Sequence, residues 1–286
     1  MKKILFILLF VLAFTSKVLA TDYCTGAAGC YLFLEGTGTV VNDTSSNTNT
    51  GTFASSGHPA WASMAGTGAP AYADYMVDYT GTSSDYIDIA DHATLDITNT
   101  LSICSWINAD ATPTANFQLV TKDGAGTNTR SYGLIFNRPV NTNYVAMAVF
   151  KTGNSETFFS DATTSLVAGT WYHLGGAYNY ISDGGSAIDL YVNGIRVANM
   201  TTAKGTIGVS ATTVNLGKRQ YTGAEGYFHG KMSETLIANA YYTATEFDDI
   251  MDNGLLPAVV TAVDNSQVMF ISKLINTTRT DFRMRN

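Results

Sequence analysis

The sequence predicts an all-β protein, a two-sheet antiparallel β-sandwich with one short helix near its C-terminal end. Three observations lead there. Between Tyr31 and Gly254, short runs rich in Val, Ile, Thr, Tyr and Phe are separated by Gly, Asn and Asp clusters at close intervals, the pattern of many short strands joined by tight turns. Several runs alternate apolar and polar residues with period two, as half-buried strands must. One segment only, TATEFDDIMDNG (243–254), switches to helical spacing.

The chain opens with Lys2 and Lys3, an apolar run from Ile4 to Phe14, and a small residue at Ala20. Residues 1–20 therefore read as a secretory signal peptide. A membrane helix needs about 20 apolar residues, more than this run supplies, and Thr21 stands where lipoprotein processing would need a cysteine. The mature chain is expected to be exported, secreted or held at the cell surface, with no membrane span. In residues 21–30, Cys24 and Cys30 enclose TGAAG. In an oxidising compartment that spacing suits a small disulfide loop, with free or intermolecular thiols as the alternative. No second Cys pair or His pair follows to complete a zinc site. Residues 36–69 are mostly small and polar and read as long surface turns. Trp61 in that stretch is the tryptophan most open to a surface role.

The strand candidates follow in order: DYMVDY (74–79), DYIDIA (85–90), LSICSWIN (101–108), YGLIFN (132–137), YVAMAVF (144–150), WYHLGGAY (171–178), AIDLYVNGIRVANM (187–200) and TVNLGK (213–218). The clearest is 187–200, where Asn193-Gly194 can take the positive φ values of a two-residue hairpin turn. Trp106, Trp171 and Cys104 sit mid-strand in apolar runs and read as packing residues. In the helix, Phe247, Ile250 and Met251 share a face, Thr245 is the expected N-cap and Gly254 the terminator. Its acids Glu246, Asp248, Asp249 and Asp252 read as a solvated face. His173 and His229 have no companion at metal spacing and read as structural.

Sixteen Lys and Arg against 23 Asp and Glu give a net charge of −7. Without residues 1–20, 13 basic residues remain against 23 acidic ones, a net −10. No broad cationic face is available for a phosphate backbone, which argues against nucleic acid as a partner. The charged fraction of 14%, against roughly 25% in average domains, indicates a neutral-polar surface.

Six blocks in order carry a resemblance: YLFLEGTGTVVNDTSSNTNTGTF, DYIDIAD, LSICSWINAD, LVAGTWYHLGGAYN, IDLYVNGIRVA with VNLGKR, and GYFHGKMSETLIANAYYTATEF. From about Tyr31 to Gly254 the chain resembles the laminin-G-like, concanavalin A-like lectin/glucanase jelly rolls. The resemblance implies a single jelly-roll domain over 31–254. The extension over 255–286 lies beyond the resemblance, and its strand formers and apolar run from Val268 to Ile275 suit an added strand or the docking of a protein partner. The resemblance also implies one of several activities, since the superfamily holds lectins, adhesion modules and glycoside hydrolases.

Hydrolysis needs two suitably spaced carboxylates, and the family's Glu-x-Asp-x-x-Glu string is absent; Glu156 with Asp161 is the unfamiliar pair left over. No catalytic residue is assigned. Relatives commonly bind Ca²⁺ through loop oxygens, which makes Asp43 in NDTSSN the candidate ligand, although Ser233 replaces the acid expected in the closing strand. For glycan contact, one loop group offers Arg130, Tyr132, Arg138, Asn141 and Tyr144. A second offers Arg219, Tyr221, Tyr227 and His229. Aromatic rings stack on sugars, and Arg and Asn fix hydroxyls. The expected function is a secreted, non-catalytic carbohydrate-binding or adhesion protein whose partner is an extracellular glycan or cell-surface polymer. A structural subunit of a surface assembly is the alternative.

Overall fold

The computed structural model describes residues 21–55, 59–68, 70, 72–82, 85–110, 117–124, 129–136, 145–151, 156–160, 166–182, 185–203, 205–219 and 226–256. Residues 1–20, expected to be a signal peptide, the tail beyond 256, Arg138, Asn141, Tyr144, Asp161 and Tyr221 lie outside the described residues, as do the side chains of Glu156 and Arg219. Among the described residues the strands form two antiparallel sheets and a two-stranded ribbon. The first sheet runs from edge to edge as Ile195–Ala203, Ser186–Val192, Trp171–Asn179, Thr100–Ala109, His229–Ala238, Tyr75–Thr80 and Ala60–Ser63, and Gly29–Tyr31 pairs with His229–Ala238. The second runs as Glu156–Ser160, Val145–Phe150, Arg130–Phe136, Phe117–Asp123, Val214–Leu216, Ile87–Ile89, Gly51–Phe53 and Val40–Val41.

Alternation decides which residues meet between the sheets. Along Thr100–Ala109, Leu101, Ile103 and Ile107 enter the main core, and so do Tyr132, Leu134 and Phe136 from one facing strand and Val145, Met147 and Val149 from another. Such rows remove apolar surface from water, at about 25 cal/mol per Å², while Ser102, Cys104, Trp106 and Asn108 are left for the outer face. Lys122 also points inward, but its ammonium meets Asp91 at 2.6 Å and Asp96 at 2.8 Å. A buried charge is tolerable on those terms.

Asn193 and Gly194 have φ of 50° and 72°, with Val192 opposite Ile195. The hairpin forms as the sequence demands. The helix spans Ala244–Asn253 and its N-cap is Thr243, two residues before the expected Thr245. The reason is a capping box: Glu246 Oε2 accepts the Thr243 backbone N–H at 2.6 Å, a reciprocal pairing that an N-cap at Thr245 would forgo. Gly254, at φ 82°, ends the helix and donates to the Ile250 carbonyl at 2.8 Å.

Two boundaries differ from expectation. Residues 36–69 are not only turns, because Val41 and Phe53 reach the core from two short paired strands, the first of them at the sheet edge, and Trp61 lies on a third, against Phe33 and Phe53. Isolated apolar residues in a polar stretch suffice where a neighbouring strand supplies the ladder. Residues 21–30 are built into the sandwich. Cys24 and Cys30 form a disulfide, Gly29 pairs with Ile237, and the Tyr23 N–H donates to the Leu255 carbonyl at 3.0 Å.

This N-terminal segment and the helix together cover part of the first sheet's outer face. Cys24, Cys30, Leu32, Cys104, Tyr191, Leu236 and Phe247 form a second core there. A Cβ at Gly175 would lie 2.6 Å from the Phe247 ring, so the glycine is what lets the helix seat.

Candidate functional site

Among the described residues, those chosen from sequence are not gathered in one site. Tyr132 is a correction: it is fully buried in the main core and its hydroxyl donates to the Leu95 carbonyl at 3.1 Å. Its strand, Arg130–Phe136, turns even-numbered positions inward, so the tyrosine has no route to a ligand. Arg130 is half-buried, pairs with Asp123 at 2.9 Å and lies 3.7 Å from the centre of the Phe150 ring. Tyr227 is half-buried, 6.5 Å from Tyr86. Arg219 pairs through its backbone with Gly226 in the ribbon. His229 is exposed, 3.7 Å from Asp110.

Asp43 is almost wholly buried and acts as a clasp. Its Oδ1 accepts the N–H groups of Cys30 at 2.8 Å and Ser45 at 2.9 Å, while Oδ2 accepts the Asn49 N–H and the Ser45 hydroxyl, both at 2.8 Å. Donors surround this carboxylate where a calcium ion would bring further oxygen acceptors. Among the described residues no three His, Cys, Asp or Glu side chains are grouped to hold a metal.

The chemistry gathers instead at the uncovered end of the first sheet's outer face. Trp106 pairs across the ladder with His173, and Trp171 pairs with Asn108. Both indoles therefore project from one face of adjacent strands, diagonal to each other. Each is about nine-tenths buried, in a small cluster with Met64, Ala73 and Met76.

Tyr72 reaches over them from the loop 64–74. Its hydroxyl accepts from Trp106 Nε1 at 2.8 Å and donates to the Met251 carbonyl at 2.8 Å, tying the loop to the helix C-terminus. Burial raises the Tyr72 pKa well above the usual phenol value, so the hydroxyl keeps its proton. Asn193 at the hairpin tip is held by the His173 backbone, which donates to its Oδ1 at 2.9 Å. The result is a groove of about 490 Å³, bounded by Tyr72, Trp106, Trp171, Asn193, Met251 and Asp252.

Two donors or acceptors beneath this surface are unused. Trp171 Nε1 and His173 Nδ1 are buried without a hydrogen-bond partner. Burial pushes the His173 pKa down to about 3, so the ring is neutral at physiological pH. Beyond Tyr72, a hollow of about 220 Å³ contains Glu234 beside Leu32, Leu34 and Leu256. Glu234 accepts the Leu255 N–H, but its Oε2 has no partner, and burial pushes its pKa up to about 8. It is the lone carboxyl among the described residues of that hollow. A glycosidase pair of acid and nucleophile or base is not assembled there. The groove itself offers aromatic edges, the Asn193 amide and the Asp252 carboxylate.

Sequence reasoning saw both tryptophans and assigned them to packing, and it missed Tyr72, Asn193 and Asp252 as a group. The signal for the first was present: Trp106 has the opposite parity to Leu101, Ile103 and Ile107, so an outward face was legible.

The sandwich and its lineage agree. The family model of the concanavalin A-like lectin/glucanases superfamily (Laminin_G_3) matches residues 80–247, more than half of the chain. The protein belongs to that superfamily. No curated protein matches it.

Among solved structures, domain 4 of AbnA, an extracellular GH43 arabinanase of Geobacillus stearothermophilus solved with arabinotriose, superposes with a TM-score of 0.55 at 16% identity, over 79% of this chain and 98% of that one. The botulinum neurotoxin serotype D binding domain in complex with N-acetylneuraminic acid gives 0.56 at 10%, over 79% and 50%. The neurotoxin DC binding domain in complex with rat synaptotagmin II gives 0.53 at 12%, over 79% and 51%. The chain spans about half the length of these toxin domains. At such identities the likeness establishes the fold alone. Among the described residues no helix is long and apolar enough to cross a membrane.

Proposed function

We propose that the protein is an exported, non-catalytic glycan-binding module whose ligand lies in the groove of Tyr72, Trp106 and Trp171. The observation that carries this reading is the pair of adjacent indoles on an outer sheet face, with a free indole N–H and a tyrosine fixed beside them. The accessible edges of these rings offer apolar contact to the C–H groups of sugars, and the Asn193 amide at the rim offers hydrogen bonds to hydroxyls. Superposition on binding domains, one of them solved with an arabino-oligosaccharide, supports the same reading.

The test is a broad glycan array with residues 21–286, run with calcium and with a chelator. Selective binding that weakens about tenfold in Trp171→Ala, a loss near 1.4 kcal/mol, with the circular dichroism of the folded protein retained, is the expected result. Binding kept in chelator assigns recognition to the groove without metal. Binding lost in chelator would move the site to a calcium centre, with Asp43 the first residue to test. Silence in both arms would overturn the glycan reading and favour a protein partner or a structural role.

A further inference from the structure

The groove does not end at Pro70. A second hollow of about 620 Å³, enclosed by the loop 64–74 with Ser63 and Tyr75 at its ends, shares Gly68 and Pro70 with it. The two hollows adjoin at those residues, and the cleft they make together has more room than a single terminal sugar fills. An exposed carboxylate stands in each half, Asp74 in one and Asp252 in the other. Among the described residues that line the cleft there is no Lys, Arg or His. Residues 21–286 as a whole carry the same sign, 23 acidic residues against 13 basic. Trp171 Nε1 is a buried donor without a partner, open to an acceptor of either kind, so the charge preference comes from the two carboxylates.

We infer that the cleft takes an extended glycan chain built of neutral or amine-bearing units and rejects chains that carry carboxylates. This rests on the glycan reading above and adds the class of ligand. An anionic sugar would lose its hydration while approaching two like charges with no cation in the lining to receive it, whereas a hydroxyl or ammonium group meets acceptors on both sides. The selectivity is electrostatic, so it must fade with salt.

The experiment compares the best neutral ligand from the array with its carboxylated counterpart of the same backbone and length, by titration calorimetry at low and at physiological ionic strength. The acidic ligand should bind about fivefold more weakly at low salt, as expected for two rim charges, and the gap should narrow as salt rises. The double variant Asp74→Asn/Asp252→Asn should close the gap, through tighter binding of the acidic ligand at low salt. Shortening the neutral chain to one unit should weaken binding. Trp171→Phe, which removes the N–H and keeps a ring, should weaken both ligands alike.

An acidic chain that binds as tightly as the neutral one, through a site that still depends on Trp171, would overturn the inference and leave the groove a glycan site. Binding indifferent to Trp171 in both the Phe and Ala variants would remove the groove from the glycan reading and this inference with it.

Discussion

The outer face of the first sheet is used in two ways along the same strands. At one end Cys104, Gly175 and Tyr191 are sealed beneath the helix and the N-terminal segment, with Phe247 seated 4.5 Å from the Tyr191 ring. At the other, two residues along each of the central strands, Trp106 and His173 lie beside a groove that the helix reaches only with Met251 and Asp252. Pairing and pleat are continuous across both halves. The difference is what arrives from outside: a glycine that admits a phenyl ring at one end, and a tyrosine loop that stops short of closure at the other. Function is expected where the covering is incomplete.

The strongest way to break this comparison is to remove the cover. Phe247→Ala should cost about 3–5 kcal/mol of stability, read by denaturant melts, and should weaken glycan binding only through the fraction unfolded. A specific loss of affinity in molecules that remain folded would show that the two halves are not separate in function.

Asp43 holds the covering segment from the side, through the N–H of Cys30. Asp43→Ala leaves three buried backbone donors without their acceptor and should cost about 2–4 kcal/mol. The loss should be the same with calcium and with chelator. A melting temperature raised by calcium in the parent and not in the variant would restore a metal at that position.

Glu234 lies on the boundary between the halves, and pH sharpens the contrast. Its pKa is raised from 4.5 to about 8 in the folded state, so the folded protein holds a proton that the unfolded chain has released. Stability from this group is complete below about pH 4.5 and falls as pH rises toward 8. His173 works the other way: its pKa is depressed from 6.5 to about 3, so stability is complete above about pH 6.5 and falls as pH drops toward 3. Glu234→Gln should flatten the alkaline side of the profile by on the order of a few kcal/mol and leave the acid side intact. An unchanged slope between pH 5 and 8 would mean the carboxyl is solvated in solution.

The smallest effect is expected at the open end. Trp171→Phe deletes an N–H that has no partner in the free protein, so stability should change by less than about 1.5 kcal/mol while affinity falls. A large loss of stability with unchanged affinity would make Trp171 a packing residue.

Much of the fold was legible because it depends on local alternation. Asn193-Gly194 names its turn, and Leu101, Ile103 and Ile107 name the inward face of their strand. The Cys24–Cys30 loop was legible from spacing. What failed depended on partners distant in sequence. Tyr132 looked available because it follows Arg130 after a polar stretch, yet the strand begins at Arg130 and faces the tyrosine inward. Thr243 outcompeted Thr245 through Glu246. The groove was hidden for the same reason. Tyr72 comes from a segment of Ala, Gly and Pro with no periodicity, and only the tertiary contact between residues 72 and 106 reveals its purpose. The Asp43 clasp was hidden too, because the N–H groups of Cys30 and Asn49 that point at its carboxylate are not written in NDTSSN.

One further property follows from the bond between the Tyr23 N–H and the Leu255 carbonyl. It brings the first and last parts of the sandwich to one point on its edge. A pull applied at residues 21 and 256 would load that corner and unzip it bond by bond, with the disulfide limiting how much of the N-terminal segment peels away. The groove adjoins that corner, because Gly254 packs against the Tyr72 ring and the Met251 carbonyl holds the Tyr72 hydroxyl. Under tension the domain should lengthen first at the corner, and the tyrosine that covers the groove would be next in the line of force.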